Sequence, residues 1–146
     1  MKPTDKADAP APVAFDLDAV VTRATSDYLL LHPVTAAPTG VVITLAGPEH
    51  PDRKRLIHAA LLHHRDEYER TGKVGLAPDE AEAQAVAMVI GCTLGWSGFT
   101  VGGEPLAFSA AACTALFNDP RRAWVRDQVK AALDRRDLFI GSSANN

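Results

Sequence analysis

The chain has 146 residues, of which 47% are hydrophobic and 23% are charged, a composition typical of one soluble domain with a modest core. Its formal net charge is −3, which argues against a nucleic-acid partner because neutralising phosphates requires a concentrated basic surface. No apolar run approaches the roughly 18 residues that a membrane span needs, so we expect no membrane partner.

The two ends of the chain are predicted to be unstructured. Met1 to Ala14 is rich in Pro, Ala and charged residues, which is typical of a disordered arm. It lacks the apolar segment of a signal peptide, so we expect the protein to stay in the cytoplasm where it is made. Asp16 to Thr25 predicts at most a short turn or helix. We therefore expect a flexible arm over 1–25, a single α+β domain over 26–140 and a disordered tail over 141–146.

Two apolar runs near the start of the domain predict a β-hairpin. Tyr28 to Pro33 and Gly40 to Leu45 are rich in β-branched and other apolar residues, and a Pro-containing loop joins them. A lone two-stranded ribbon is only marginally stable in water. We therefore expect a helix, a second ribbon or a neighbouring subunit to cover its apolar face.

A first long helix is predicted from Pro51 to about Arg70. Proline suits the first position of a helix, and Gly72 fits the C-cap. The apolar stripe, which we expect to pack on the rest of the domain, consists of Ile57, Ala60, Leu61, His64 and Tyr68, with Leu56 alongside.

A central helix is predicted to open at Pro78, and its buried stripe consists of Val86, Val89, Ile90, Thr93 and Leu94. Gly95 to Gly98 then interrupts the helical period. Phe99 to Val101 and Glu104 to Phe108 predict a small second ribbon that turns at a Gly-Gly pair. We expect Trp96 to pack over the joint.

Two further helices complete the predicted domain. Ser109 caps a short helix, and Asp119-Pro120 caps and starts the last one, which we expect to end near Ile140-Gly141. The buried stripe of the last helix consists of Val125, Val129, Ala132 and Leu133. Together the elements predict an α+β fold, mainly α, in which an N-terminal β-hairpin and a small second ribbon pack on about four helices.

The sequence contains no convincing catalytic motif. His63 and Glu67 have the i, i+4 spacing of two metal ligands on one helix face, but no second group of ligands converges with them. Cys92 and Cys113 have a spacing that fits no metal or redox motif, and we interpret them as buried small hydrophobes of a reduced protein. We therefore expect no enzyme activity, no metal and no cofactor.

Five phrases carry a family resemblance. Leu31 to Thr35 (LHPVT) and Gly40 to Pro48 (GVVITLAGP) resemble the opening β-element of small tail-region proteins of tailed bacteriophages and prophages. Gly95 to Gly98 (GWSG), Gly103 to Ser109 (GEPLAFS) and Trp124 to Val129 (WVRDQV) resemble the second half of the same group. Over about residues 28 to 140, the chain most resembles the tail assembly chaperones of long-tailed phages.

This resemblance implies a non-enzymatic role. In that family the chaperone binds the tape-measure protein, a very long and mostly helical chain, keeps it soluble and helps to recruit tail-tube subunits around it. The implied partners are therefore the tape-measure protein and the tail-tube protein. Self-association and a longer form made by translational frameshifting stay open.

A chaperone for a helical client needs an exposed apolar surface. The candidate partner-binding residues are Trp96 and Phe99 from the second ribbon, and Trp124, Leu138 and Phe139 from the last helix. The alternative for each of these side chains is a place in the core. The Arg-rich face of the last helix either steers an acidic client or simply solvates the helix.

A second hypothesis is a structural virion component, such as a head–tail joining or minor tail subunit that forms a ring. Such a subunit would use the first hairpin for β-augmentation between copies. It would copurify with particles, whereas a chaperone is found only in lysates before maturation. A small regulatory DNA-binding protein is disfavoured by the charge and by the lack of a convincing helix-turn-helix.

Overall fold

The computed structural model describes residues 14–143 of the chain. The predicted disordered arm over Met1 to Ala14 therefore lies outside the described residues except for Ala14, and so does the end of the predicted tail. Within the described part the fold is α+β and mainly α, as predicted, with an N-terminal hairpin and small ribbons.

Over residues 14–143 seven short strands form three small antiparallel sheets. They are β1 (Val20–Thr22), β2 (Thr25–Leu31), β3 (Pro38–Ala46), β4 (Thr93–Ser97), β5 (Thr100–Val101), β6 (Glu104–Pro105) and β7 (Ile140–Ser142). The main sheet has the order β2-β3-β4, β5 pairs with β6, and β1 pairs with β7. The predicted hairpin and the predicted second ribbon are therefore both confirmed.

Four α-helices lie in the same described range. They are α1 (Pro51–Thr71), α2 (Pro78–Cys92), α3 (Ala110–Asn118) and α4 (Ala123–Leu133). Short 3-10 turns cover Leu17–Ala19, Pro120–Arg122 and Arg136–Phe139. Among the described residues no helix combines the length and the apolar character needed to cross a membrane.

The sequence signals at the helix ends are confirmed. Gly72 follows α1 in the left-handed conformation (φ 70°) that glycine favours, and its N–H donates to Tyr68 O. Ser109 Oγ accepts a hydrogen bond of 3.0 Å from Ala112 N–H at the start of α3. Asp119 caps the 3-10 turn that leads into α4.

The core lies between one face of the main sheet and helices α2, α3 and α4. Leu30, Ile43 and Leu45 are 1% exposed or less, whereas Leu29, on the opposite face of the sheet, is 62% exposed. The stripe predicted for the last helix is confirmed, because all of its members are buried: Val125, Val129, Ala132 and Leu133. An antiparallel sheet with one buried and one solvated face accounts for the alternation along β2 and β3.

The junction between α2 and β4 corrects the predicted central helix. The helix ends at Cys92, and Thr93 and Leu94 belong to the strand that pairs with β3. Thr93 Oγ1 donates to Val89 O at 2.8 Å, a bond that threonine also makes inside helices. Since Thr93 is buried in the same core as Val89, the apolar helical pattern continues past the end of the helix.

The two ends of the described chain pair with each other. Val21 in β1 lies opposite Gly141 in β7. The last helix ends at Leu133 rather than near Ile140, and the chain returns to β7 through the turn over Arg136–Phe139. The segments assigned to the flexible arm up to residue 25 and to the tail from residue 141 thus contribute strands to the folded domain.

Helix α1 differs from the other helices because none of its 21 residues is buried. Ile57, Leu61 and Tyr68 are 41%, 63% and 53% exposed. The expectation that the apolar stripe of α1 packs on the domain is therefore wrong for these three residues. Amphipathic spacing identifies an apolar face of a helix but not what covers that face.

The inner side of α1 rests on α2. Leu56 lies so close to Gly91 that a Cβ at residue 91 would overlap its side chain. His64 Nε2 lies 3.1 Å from Gln84 Oε1. These contacts hold α1 against α2 as a helical hairpin on the outside of the domain.

Candidate partner-binding groove

Two of the five predicted partner-binding residues, Phe99 and Trp124, line one groove, and a third, Trp96, packs against Phe99. Trp96 on β4 packs edge-to-face against Phe99, with ring centroids 5.2 Å apart, and against Phe108, with centroids 4.9 Å apart. Trp124 near the start of α4 lines the groove, as does Phe99. The structure therefore brings Phe99 and Trp124 to one surface and packs Trp96 against Phe99.

The β5–β6 ribbon forms one wall of the groove. The Trp96 indole N–H donates to Leu106 O at 2.9 Å, and Leu106 N–H donates to Phe99 O at 2.9 Å. Gly98 has a φ of 94°, and a Cβ there would lie 3.0 Å from Gly40 O. Because only glycine fits this turn comfortably, Gly98 fixes the direction in which the ribbon leaves β4.

The floor and the second wall come from the sheet and from the corner between α3 and α4. The groove has a volume of about 390 Å³ and opens to solvent. Its apolar lining consists of Leu30, Val41, Phe99, Val101, Leu106, Leu116, Trp124 and Val125. An open apolar groove of this kind suits the apolar face of a peptide or helix.

Two arginines give one edge of the groove a positive charge. Arg121 Nη2 lies 3.0 Å from Asp119 Oδ2, and Arg122 Nη1 lies 3.6 Å from the same oxygen. The hydrogen bond from the Arg121 side chain lowers the pKa of Asp119, and the same bond raises the pKa of Arg121. Two guanidinium groups share one carboxylate, so this edge favours an acidic group on a partner.

The other two predicted site residues lie elsewhere. Phe139 is 1% exposed and belongs to the core, with the Arg53 guanidinium 5.8 Å above its ring. Leu138 is half-buried and packs against the same core. Neither residue lines the groove, which corrects the expectation that Phe139 is part of an exposed surface.

The sequence left open whether the Arg-rich face of the last helix steers an acidic client, and Arg121 and Arg122 were not among the predicted partner-binding residues. A signal for the basic edge of the groove exists in the phrase Asp119-Pro120-Arg121-Arg122, which places two cations at the beginning of a helix. The helix dipole disfavours cations at that end, so their presence there calls for another reason. Leu116 was not predicted as a site residue. It lies on the buried face of α3 with Cys113 and Phe117, and it also lines the groove.

Two of the five histidines accept hydrogen bonds from backbone N–H groups. The Nδ1 atom of His32 accepts hydrogen bonds from two backbone N–H groups of its own turn, and Nδ1 of His50 accepts one at the start of α1. Glu67, the proposed neighbour of His63 in a metal pair, instead accepts a hydrogen bond of 2.7 Å from Arg70. Within residues 14–143 no cluster of three His, Cys, Asp or Glu side chains is arranged to hold a metal.

Both cysteines are free and buried, as predicted. Burial raises the pKa of the Cys113 thiol to about 11 and also raises that of Cys92. We expect both thiols of the native protein to resist a thiol reagent at pH 8 and to react fully in denaturant, which absorbance titration measures.

The raised pKa of the Cys113 thiol makes the stability of the folded protein depend on pH. An exposed thiol has a pKa of about 8.5, so the raised value of Cys113 in the folded state favours folding below that pH. This contribution is lost progressively as the pH rises through about 11.

In the labelling experiment, rapid reaction of the native protein at pH 8 would contradict the buried position of both thiols.

Comparison with protein-family models, with curated proteins and with solved structures finds no match.

Proposed function

We propose that this chain is a non-enzymatic tail assembly chaperone of a long-tailed bacteriophage or prophage. In this proposal it binds the tape-measure protein in the host cytoplasm, keeps it soluble and helps to recruit tail-tube subunits. The observation that carries the proposal is the open apolar groove between the β5–β6 ribbon and the α3–α4 corner, with arginines at its edge.

The phrases that carry the family resemblance support this proposal by their positions. The first pair supplies Val41 on β3, the second pair supplies Gly98 and Leu106, and the last supplies Trp124 and Val125. Four of the five phrases thus contribute to the lining of the same groove, although they are spread over residues 40–129, whereas Leu31 to Thr35 does not line it. A shared binding surface is a simple physical reason for such phrases to occur together.

The chemistry of the groove suits a helical client. A long helical chain without its partners exposes apolar stripes, and burying apolar surface contributes about 25 cal/mol per Å². The groove offers aromatic and aliphatic side chains for this contact, and Arg121 and Arg122 add attraction for acidic residues beside the stripe. Such a contact binds many related segments because it depends on a pattern rather than on one sequence.

The proposal is tested by co-expression with a candidate tape-measure protein, a very long and mostly helical chain. We expect the soluble fraction of that client to rise only when this chain is present, and a tag on this chain to retain the client. If the client stays insoluble and the chain is found by mass spectrometry in purified particles, the structural-subunit hypothesis replaces the chaperone proposal.

A pair of single variants tests the groove itself. Val101 lines the groove and is 44% exposed, so Val101→Asp introduces a charge into the groove with little cost to the fold. We expect the retained client to fall about tenfold, as for a central interface residue. Leu29→Asp is the control, because Leu29 is 62% exposed on the opposite face of the sheet. Equal retention by both variants would exclude this groove as the client site.

One contact bears on the alternative of β-augmentation by the first hairpin. The Gln128 side chain accepts from Leu31 N–H at 3.1 Å and donates to Leu31 O at 2.8 Å. It also accepts from the Tyr28 hydroxyl at 2.9 Å. Gln128 therefore occupies the backbone groups of β2 at Leu31 that an added strand would need there.

A further inference from the structure

The charged residues that line the groove of the proposed client site are all of one sign. Among the described residues of the lining, Arg121 and Arg122 are the charged ones. Asp119 contacts both arginines, but it does not line the groove. Because two guanidinium groups share this one carboxylate, one positive charge at the edge of the groove is not neutralised.

Asp119 holds the two arginines unequally. Arg121 donates from Nε to Asp119 Oδ1 at 3.2 Å and from Nη2 to Asp119 Oδ2 at 3.0 Å. Arg122 Nη1 lies 3.6 Å from Asp119 Oδ2, which is too long for a hydrogen bond. Within residues 14–143 the Arg122 guanidinium makes no hydrogen bond. Arg122 is therefore the cation that can still bind an acidic group of a partner.

The position of Arg122 also suits contact with a bound segment. Its side chain is 37% exposed, whereas that of Arg121 is 80% exposed. Ion pairs that are partly buried are screened less by salt than exposed pairs. Trp124 and Val125, which follow Arg122 at the start of α4, line the same groove. One partner segment can therefore place an apolar side chain on α4 and an acidic side chain on Arg122.

We propose that Arg122 makes the groove selective for segments that carry a carboxylate beside their apolar side chains. The apolar side chains cover Trp124 and the rest of the lining, and the carboxylate accepts charge-assisted hydrogen bonds from Arg122. Asp119 then competes with the partner for the same guanidinium and weakens the contact. This inference rests on the proposed function, because it takes the groove as the client site and names the kind of client segment that fits there.

A segment without an acidic side chain is a poorer occupant of the groove. It would cover the half-buried Arg122 side chain and remove water from it without supplying an acceptor, and desolvating a charge without a partner is costly. A segment with a basic side chain at this position would add repulsion from the positive charge that Asp119 does not neutralise. Arg122 therefore acts through a penalty against other segments as well as through attraction.

The first test compares two fluorescent probes that share an apolar pyrene body, pyrenebutyrate with a carboxylate and pyrenebutanol with a hydroxyl group. At neutral pH we expect the wild-type chain to bind pyrenebutyrate about threefold to tenfold more tightly. Arg122→Gln should remove this preference and leave the affinity for pyrenebutanol within about twofold of wild type. Arg126→Gln is the matched control and should keep the preference, because Arg126 is on the same helix, lies outside the groove and is 3.9 Å from Glu82.

Two double variants of equal net charge decide which arginine is responsible. Asp119 Oδ1 accepts a hydrogen bond of 3.0 Å from Arg121 N–H, and the asparagine of Asp119→Asn can accept the same bond. Asp119→Asn with Arg121→Gln leaves Arg122 alone at the edge, and this protein should prefer pyrenebutyrate at least as strongly as the wild type. Asp119→Asn with Arg122→Gln leaves Arg121 alone, and the preference should fall below about twofold.

Several results would overturn the inference. They are equal affinity of the wild type for both probes, binding of neither probe, an unchanged preference in Arg122→Gln, and an equal preference in the two double variants. If the preference depends on Arg122 but the chain never retains the tape-measure protein, the proposed function fails and the selectivity of the groove stands. If the wild type and Arg122→Gln retain the tape-measure protein equally and the wild type shows no preference between the probes, the inference fails and the proposed function stands.

Discussion

Replacing Phe139 by alanine should lower the free energy of unfolding by about 3 to 5 kcal/mol, the usual cost of removing a fully buried aromatic ring. Phe139 is 1% exposed, and a Cβ at Gly47 would lie 2.8 Å from its ring. Its carbonyl oxygen accepts a hydrogen bond of 2.7 Å from Arg23 N–H. The ring thus closes the core where the two ends of the described chain come together. Denaturant unfolding followed by circular dichroism measures the change.

The neighbouring residue provides the control for this prediction. Leu138 is half-buried, so Leu138→Ala should cost only about 1 to 2 kcal/mol, below the usual range for a fully buried leucine. A Phe139→Ala protein as stable as the wild type would show that the ring is not buried in solution. Residue 139 would then return to the set of candidate partner-binding residues.

Replacing Trp96 by alanine is the second change with a large expected effect, about 2 to 4 kcal/mol of unfolding free energy. The value lies below that of a fully buried aromatic residue because Trp96 is half-buried. The variant loses two edge-to-face ring contacts, with Phe99 and Phe108, and the hydrogen bond to Leu106 O. We therefore expect the β5–β6 ribbon to loosen and the groove to lose one of its walls.

Two measurements separate the contributions of Trp96. Trp96→Phe keeps an aromatic ring but loses the hydrogen bond, which should cost about 1 kcal/mol. Hydrogen exchange at the Leu106 amide, which donates to Phe99 O, reports the ribbon directly and should speed up more in Trp96→Ala than in Trp96→Phe. Unchanged exchange in both variants would show that Trp96 does not hold the ribbon.

The elements that could be predicted from the sequence are those with local signals. Pro51, Gly72, Pro78 and Ser109 mark helix ends by backbone geometry and capping, which depend only on neighbouring residues. The buried stripe of α4 follows from its period, because that helix is covered on one side by the core. Local physics determines these features, so the sequence alone is sufficient to find them.

The features that were missed depend on distant parts of the chain. β4 continues the apolar period of α2, and only its pairing with β3 makes it a strand. β1 and β7 are three residues each, too short to show a period, and they pair across almost the whole described chain. The exposed stripe of α1 looks like a buried one, since an amphipathic pattern contains no information about the partner.

The candidate site could likewise be predicted only in part from the sequence. Trp96, Phe99 and Trp124 could be selected as large aromatic side chains near predicted joints. That Phe99 and Trp124 line one groove, with Trp96 packed against Phe99, depends on how the ribbon and α4 sit on the sheet. Phe139 is also a large aromatic side chain, yet it lies in the core. Chemical type therefore identifies candidates, and tertiary packing decides which of them a partner can reach.

The most direct test of the proposed function is the soluble fraction of the tape-measure protein after co-expression with the wild-type chain or with an empty vector. We predict that the client remains in the supernatant after centrifugation only with the wild-type chain, and that the two proteins then elute together in gel filtration. A client that is equally soluble with the empty vector, or that never co-elutes, would contradict the chaperone proposal.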